Sequence, residues 1–265
     1  MLVQVGLEFS YYRFTGLPPL ITVAFLILAF ATVLGGESAP VASASPVPVL
    51  AIVAALLLAS GCHLIAWTEP TSEPSPTDDL AVTTYNIQSG FALDKTWNPE
   101  RTARTIEAEN PDIVVLQEVS RGRLVTSGVD EAMWLSQRLG MPYVFGTNST
   151  DGRWGNGILT RGPILDTASE RYTVTRNLKR SVIGVQIMTW AGDLWVFRTH
   201  LDKPNNAGEI RLAQTRQFLE FVHGQKPALI LRDLNSDPGD PALRELSPAG
   251  FTDPGRSLLA QGYHS

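Results

Sequence analysis

Two stretches of the chain, Leu17 to Gly36 and Val47 to Trp67, carry no Asp, Glu, Lys or Arg. At 1.5 Å of rise per residue each makes a helix of about 30 Å, the thickness of the hydrocarbon core of a bilayer. Glu37 to Pro46 between them is small and turn-prone. The pattern therefore predicts a membrane hairpin over residues 1–68, with transmembrane helices at 17–36 and 47–67. Core helices of soluble domains rarely run so long without a charge. Residues 69–79 (EPTSEPSPTDD) hold three prolines, four acids and no large apolar side chain. Such a segment cannot pack, and it reads as an acidic, Pro-rich linker.

From Leu80 the pattern shortens. Leu80 to Asn86 alternates as a strand, and Ile113 to Leu116 is a buried apolar run. Pro99 to Glu109 predicts a helix capped by Asn98, with Pro99 in its first turn, and Asp130 to Leu139 a second helix stopped by Gly140. Gly157 to Thr160, Ser181 to Met188 and Leu194 to Thr199 read as strands. Glu209 to Val222 predicts a third helix, with Ile210, Ala213, Phe218 and Phe221 near helical spacing and Gly224 as its stop. Ala228 to Leu231 is a last buried strand. Tyr143, Trp134 and Trp195 are expected in the core. No internal repeat interrupts the series. Alternating strands and helices with polar residues at the strand ends are the layout of layered α/β enzymes.

Composition changes the picture in two places. A single cysteine excludes a disulfide framework, and 10 Phe, 6 Tyr and 6 Trp exclude wholesale disorder. The net charge of −5 sits entirely in residues 1–79, where Arg13 faces Glu8, Glu37, Glu69, Glu73, Asp78 and Asp79. Residues 80–265 hold 20 basic and 20 acidic residues and are electroneutral. Arg13 is the basic residue flanking the spans, which favours a multi-pass protein with its N-terminus and C-terminal domain in the cytoplasm. Two rival readings stand beside the anchor. Ala42-Ser43-Ala44 resembles a signal-peptidase site, and Ala59-Ser60-Gly61-Cys62 a lipobox that would lipidate Cys62. His63 is expected to be a helix residue rather than a ligand. Asn148-Ser149-Thr150 fits a glycosylation sequon, a match common by chance.

The strand ends carry the chemistry. Tyr85-Asn86-Ile87 ends the first strand and Leu116-Gln117-Glu118-Val119 the second. Trp154-Gly155-Asn156-Gly157-Ile158-Leu159 opens another, Thr199-His200-Leu201-Asp202 ends a later one, and Leu231-Arg232-Asp233-Leu234-Asn235 ends the last. In this order, from Leu80 onward, the five motifs resemble the endonuclease/exonuclease/phosphatase superfamily. That resemblance implies an α/β fold, a deoxyribonuclease-like layered β-sandwich with flanking helices, and a metal-dependent phosphodiesterase or phosphatase. Cleaving a phosphoester needs charge neutralised on the phosphoryl oxygens and an activated water, and a hard cation prefers carboxylate and water ligands. By the resemblance, Glu118 would hold Mg²⁺ (or Mn²⁺) with Asn86 helping to form the metal site. Asn156 and Asn235 would hold phosphate oxygens, Asp233 would position or deprotonate the attacking water, and His200 would bind the phosphate or protonate the leaving group. Arg180 is expected to pair with a carboxylate, and His223 to complement a helix end.

Two departures from the family pattern stand out. Arg232 occupies the place where the family has Gly, and a cation turned toward Asp233 would weaken it as a base. The family's terminal Ser-Asp-His motif has no counterpart: His264 lacks the preceding Asp, so residues 80–265 read as an incomplete copy. An inactive member serving as a binding module is therefore the rival to an enzyme. For substrate, the electroneutral domain and acidic linker disfavour nucleic acid, which gathers affinity from basic residues. A bilayer anchor raises the local concentration of a lipid headgroup. The expectation is a phospholipid or other membrane-associated phosphoester, with a nuclease as the alternative. No protein partner is expected.

Overall fold

The computed structural model describes residues 70–73, 79–175, 179–203, 207–237 and 239–253, and the backbone alone of Arg232. The expected spans at 17–36 and 47–67, the lipobox and His264 lie outside the described residues. So does most of the linker. Among the described residues no helix is long and apolar enough to cross a membrane.

Strand β1 (Val82–Asn86), helix α1 (Pro99–Glu109) and strand β2 (Ile113–Ser120) form a parallel crossover unit. Helix α1 begins where expected because the Asn98 side chain accepts a hydrogen bond from Arg101 N at 3.1 Å and Pro99 needs no partner for its missing N–H. Helix α2 (Glu131–Leu139) starts one residue later than the pattern suggested. Asp130 is its cap, accepting from Met133 N at 3.1 Å, and Gly140 ends it in the left-handed conformation. Strands β3 (Tyr143–Thr147) and β4 (Trp154–Thr160) complete a first sheet in the order β1-β2-β4-β3.

The second sheet has the order β5-β6-β7-β8, with β5 (Ile164–Arg171), β6 (Ser181–Thr189) and β7 (Gly192–His200) antiparallel. Helix α3 (Gly208–Phe221) then returns the chain so that β8 (Ala228–Asp233) lies parallel to β7. A short helix α4 (Pro241–Arg244) follows, capped by Asp240. Each sheet thus contains one parallel pair joined through a helix, β1-α1-β2 and β7-α3-β8.

Burial defines four layers. Ile113, Val115 and Ile158 of the first sheet meet Ile183, Val185, Ile187 and Val196 of the second in an apolar layer between the sheets. On the outer face of the first sheet, Val114, Leu116, Val119 and Leu159 pack on Ala103 and Ile106 of α1 and Ala132 and Leu135 of α2. On the outer face of the second, Val182, Trp195 and Phe197 pack on Phe218 and Val222 at α3. Trp195 is buried as expected, while Trp134 and Tyr143 sit partly buried against the α1/α2 layer. At Gly146 the two sheets approach so closely that a Cβ would lie 1.9 Å from Ile183 Cγ2. This is the layered sandwich with flanking helices that the motifs implied.

Candidate active site

The parallel pairs place four strand ends together, and these ends carry the expected residues. Strand β2 is not regular there: its register with β4 shifts between Leu116 and Val119, and Glu118 has φ of 54°. A bulge of this kind re-aims side chains. Val119 thereby returns to the α1/α2 core beside Leu116, and Glu118 is left half-buried at the sheet's end. Asn86, ending β1, donates from Nδ2 to Glu118 Oε1 at 3.1 Å. Its Oδ1 accepts from Gln88 N at 3.0 Å, and Ser89 Oγ donates to the Glu118 carbonyl at 3.2 Å. Asn86 is therefore committed to orienting Glu118, and the carboxylate is the oxygen donor this corner offers a cation.

On the second sheet His200 ends β7 and Asp233 ends β8, in register with each other. Asp233 Oδ2 approaches His200 Nε2 to 3.8 Å. That contact is not an ion pair, because burial first, and then the cations Arg198, Arg180 and Lys203, push the imidazole pKa down to about 2. Arg180 Nη1 lies 2.9 Å from the same Nε2. Arg180 can only donate, so Nε2 accepts and the proton sits on Nδ1. The sequence expectation that His200 protonates a leaving group meets a physical obstacle here: a neutral imidazole at this site is a hydrogen-bond donor and no acid. Asp233, with a side chain 40% exposed, remains open to solvent.

Asn235 follows Asp233 in a tight turn, with φ of 47° and its N–H donating to Asp233 Oδ1 at 3.1 Å. Its Nδ2 donates to the Leu201 carbonyl at 2.9 Å, tying the β8 end to the β7 end. One of the two Asn235 amide hydrogens thus serves the scaffold. Asn156 is fully buried on β4, and its Nδ2 donates to Asn148 Oδ1 at 3.2 Å. Ser181 Oγ donates to the same Asn148 oxygen at 2.6 Å. Asn148 is 1% exposed, so the sequon asparagine is an internal bracket between β4 and β6 and cannot accept a glycan in this fold.

Arg180 pairs with a carboxylate as expected: its Nε lies 3.8 Å from Asp202 Oδ1, both side chains being buried. Asp202 is held in turn by Gln214, whose Oε1 accepts from Asp202 N at 3.0 Å. His223 is exposed just beyond α3. Arg198 and Ser181 were not singled out in the sequence, and Asn148 only as a sequon. Arg198 had a signal: a lone arginine two residues before His200, on the same face of an otherwise buried strand. The Arg232 side chain is outside the described set.

Among the described residues no cluster of three or more His, Cys, Asp or Glu is arranged to hold a metal. The donor set nevertheless fits a hydrated hard cation, since Mg²⁺ is commonly held by one or two carboxylates and completes its shell with water and phosphate oxygens. Glu118, oriented by Asn86, is such a carboxylate.

Comparison with known proteins places this arrangement. No curated protein matches the chain. Three solved structures that resemble it can be set beside it. An endonuclease/exonuclease/phosphatase from Beutenbergia cavernae DSM 12333 is 26% identical over 62% of this chain and 50% of its own, at a TM-score of 0.47. This chain thus spans half the length of that protein. The human Nocturnin catalytic domain with bound sulfate is 21% identical over 63% of this chain and 69% of its own, at 0.52. A functionally unknown conserved protein from Enterococcus faecalis V583 is 19% identical over 64% and 72%, also at 0.52. The last two share the fold. The profile of the Endonuclease/Exonuclease/phosphatase family matches residues 83–264, and the chain belongs to that family.

Proposed function

We propose that this chain is a divalent-metal-dependent phosphoester hydrolase, tethered to a membrane by residues 1–68 and acting on a phospholipid or another membrane-associated phosphoester. The observation that carries the hydrolase reading is the convergence of the Asn86–Glu118 pair and the His200–Asp233–Asn235 corner at the ends of the two parallel strand pairs. Both carboxylates lie close enough to Arg180 and Arg198 to act on them electrostatically.

A cation at Glu118 would supply Lewis-acid neutralisation of phosphoryl charge. The chain's own residues do the rest. Asn86 fixes the Glu118 carboxylate. His200 presents its Nδ1–H to a phosphoryl oxygen and stays uncharged while doing so. Asp233, held by the turn to Asn235 and open to solvent, accepts the proton of the attacking water as its oxygen bonds to phosphorus and the ester P–O bond breaks, the leaving oxygen taking its proton from solvent. Arg180 fixes the imidazole tautomer from the other side.

The lipid preference is supported by the electroneutral composition of residues 80–265 and by the acidic segment before them. The test is hydrolysis of a generic phosphodiester by the full chain with Mg²⁺ or Mn²⁺, before and after chelation. Metal-dependent turnover is expected. Full-rate turnover after complete chelation overturns the metal dependence, and none with any divalent ion overturns the hydrolase reading.

A further inference from the structure

Buried polar atoms without partners are rare, and each one calls for an account. Among the described residues seven buried side-chain atoms without a hydrogen bond gather at this end of the sandwich: Asn148 Nδ2, Asn156 Oδ1, His200 Nδ1, Nε, Nη1 and Nη2 of Arg198, and Arg180 Nε, which has the Asp202 carboxylate 3.8 Å away as its ion-pair partner. Strand alternation explains the grouping. Arg198 and His200 stand two residues apart on β7, on the face that Val196 uses to enter the layer between the sheets. Ile183 is the register partner of Arg198 on β6, and Ser181, bonded to Asn148, stands two residues before it on the same face. Arg198 is fully buried and its guanidinium makes no hydrogen bond at all. Arginine so placed is normally paired with a carboxylate or an anion.

The inventory of atoms says what is missing. Six of the seven are donors, since Arg180 holds His200 in the tautomer that carries its proton on Nδ1. Two of the residues are guanidinium cations. A group that offers acceptors only, bears negative charge and has oxygens in several directions can take the Arg180 and His200 donors and answer the charge of Arg198 without touching it; a water molecule does not supply the charge. That description is a tetrahedral oxyanion.

We propose that Arg180 and Arg198 form a buried cationic floor that recognises the phosphoryl group of the substrate. Arg180 and His200 make the contacts through Nε and Nδ1, and Arg198 beneath them acts by charge. Arg198 is in this sense a positioning residue. The inference rests on the phosphoester reading only for the kind of ligand; its test measures binding, so it stands or falls apart from hydrolysis.

The probe is inorganic phosphate, titrated calorimetrically into the full chain in detergent at fixed ionic strength with Mg²⁺ present. Wild type is expected to bind one phosphate, and chloride in its place to give no heat. Arg198→Met keeps the length of the side chain and removes the charge. A unit charge several ångströms away at an effective dielectric of about 20 is worth about tenfold or more in affinity. Arg198→Met should therefore bind phosphate at least about tenfold more weakly, while Arg198→Lys, which keeps the charge, stays within about threefold of wild type. The thermal midpoint of the phosphate-free Arg198→Met protein should be unchanged or raised, since a desolvated charge has gone. A purely structural role for Arg198 moves that midpoint down and leaves phosphate affinity alone. Equal phosphate binding by all three proteins, or equal loss in both variants, overturns the proposal. Should a variant fail to fold, the wild type decides: phosphate must shift the Arg180 Nε–H resonance, and an unmoved signal at saturating phosphate overturns it.

Discussion

Glu131 offers the most quantitative handle on how this site is braced. It is the first residue of α2, it is fully buried, and its two oxygens tie strand β2 just past the Glu118 bulge to the segment before α1. Oε2 accepts from Ser120 N at 2.7 Å, two residues beyond Glu118, and Oε1 accepts from Trp97 Nε1 at 3.1 Å. The backbone at Gly90 passes so close that a Cβ there would lie 2.7 Å from Oε1. Burial dominates over both hydrogen bonds and over Arg123, and pushes the Glu131 pKa up from 4.5 to about 7. Because the folded value lies above the unfolded one, the fold favours the protonated acid. That contribution is complete below pH 4.5 and is lost as pH rises to 7. A shift of this size corresponds to about 3 kcal/mol, of which about 2.5 falls between pH 5 and pH 8.

Glu131→Gln keeps the shape and removes the titration. It also turns an amide NH₂ toward one of the two donors, which strands Ser120 N–H or Trp97 Nε1–H at a cost of about 1–3 kcal/mol. At pH 5 the variant should therefore be less stable than wild type by about that amount. By pH 8 ionisation of the native Glu131 offsets the stranded donor, and the difference should shrink to near zero or reverse. For a domain of this size about 1 kcal/mol moves the thermal midpoint by about 2–4 °C. Thermal unfolding of both full chains, followed by tryptophan fluorescence at pH 5, 6, 7 and 8, reads the difference directly. Titrations common to both proteins cancel in it. A wild-type-minus-variant difference that stays constant across this range refutes the account, because the raised pKa demands a slope.

Other expectations follow from single contacts. Glu118→Gln keeps the Asn86 hydrogen bond and removes the charge, so it should abolish metal-dependent hydrolysis with an unchanged thermal midpoint; full activity with Mg²⁺ would take Glu118 out of the metal site. Gly146→Ala drives a Cβ into Ile183 Cγ2 across the sheet interface and should cost about 1–3 kcal/mol in urea unfolding, partly recovered by adding Ile183→Ala. Phe197→Ala removes the ring that stacks on Trp195 at 5.4 Å and meets Phe218 edge-on at 6.2 Å, and should cost about 3–5 kcal/mol by the same assay. In competition on the membrane-inserted full chain, phospholipid should turn over faster than duplex DNA, and the reverse order would sink the lipid preference.

Much of the sandwich could be read from pattern because its central strands bury both faces. Strands β2, β6 and β7 are apolar along most of their length, and α1 and α2 announce themselves by Asn98, Asp130 and Gly140. The strands that pattern missed are edges. Strand β5 runs Ile-Leu-Asp-Thr-Ala-Ser-Glu-Arg and is largely exposed, since its work is to pair with β6 and to keep the sheet edge polar. Strand β3 is five residues long and half-buried, with a glycine where it closely approaches the second sheet. The strand ends were set short for a related reason. Hydrophobicity stops at Leu116 and Leu231, whereas the ladders continue to Ser120 and Asp233 through the polar residues of the site.

The site itself was legible to the extent that its motifs sit on strand ends, and illegible where function depends on what a side chain lacks. Asn86 and Glu118 lie 32 residues apart in sequence, and only the parallel pairing of β1 with β2 brings them to 3.1 Å. His200 looked like an acid by its residue type. Its burial decides otherwise, reinforced by Arg198, which occupies a strand position that a pattern assigns to the core, and by Arg180, just before β6. A buried arginine on β7 reads as an anomaly in one dimension. In three, it lies among orphaned donors at the one end of the sandwich where both parallel pairs finish. Both sheets stop offering hydrophobic partners at that end, and the side-chain groups left there without hydrogen bonds can be satisfied by a ligand. That is the physical reason open α/β architectures place their chemistry beyond the carboxyl ends of parallel strands. Here the same end also concentrates the charge that an oxyanion would need.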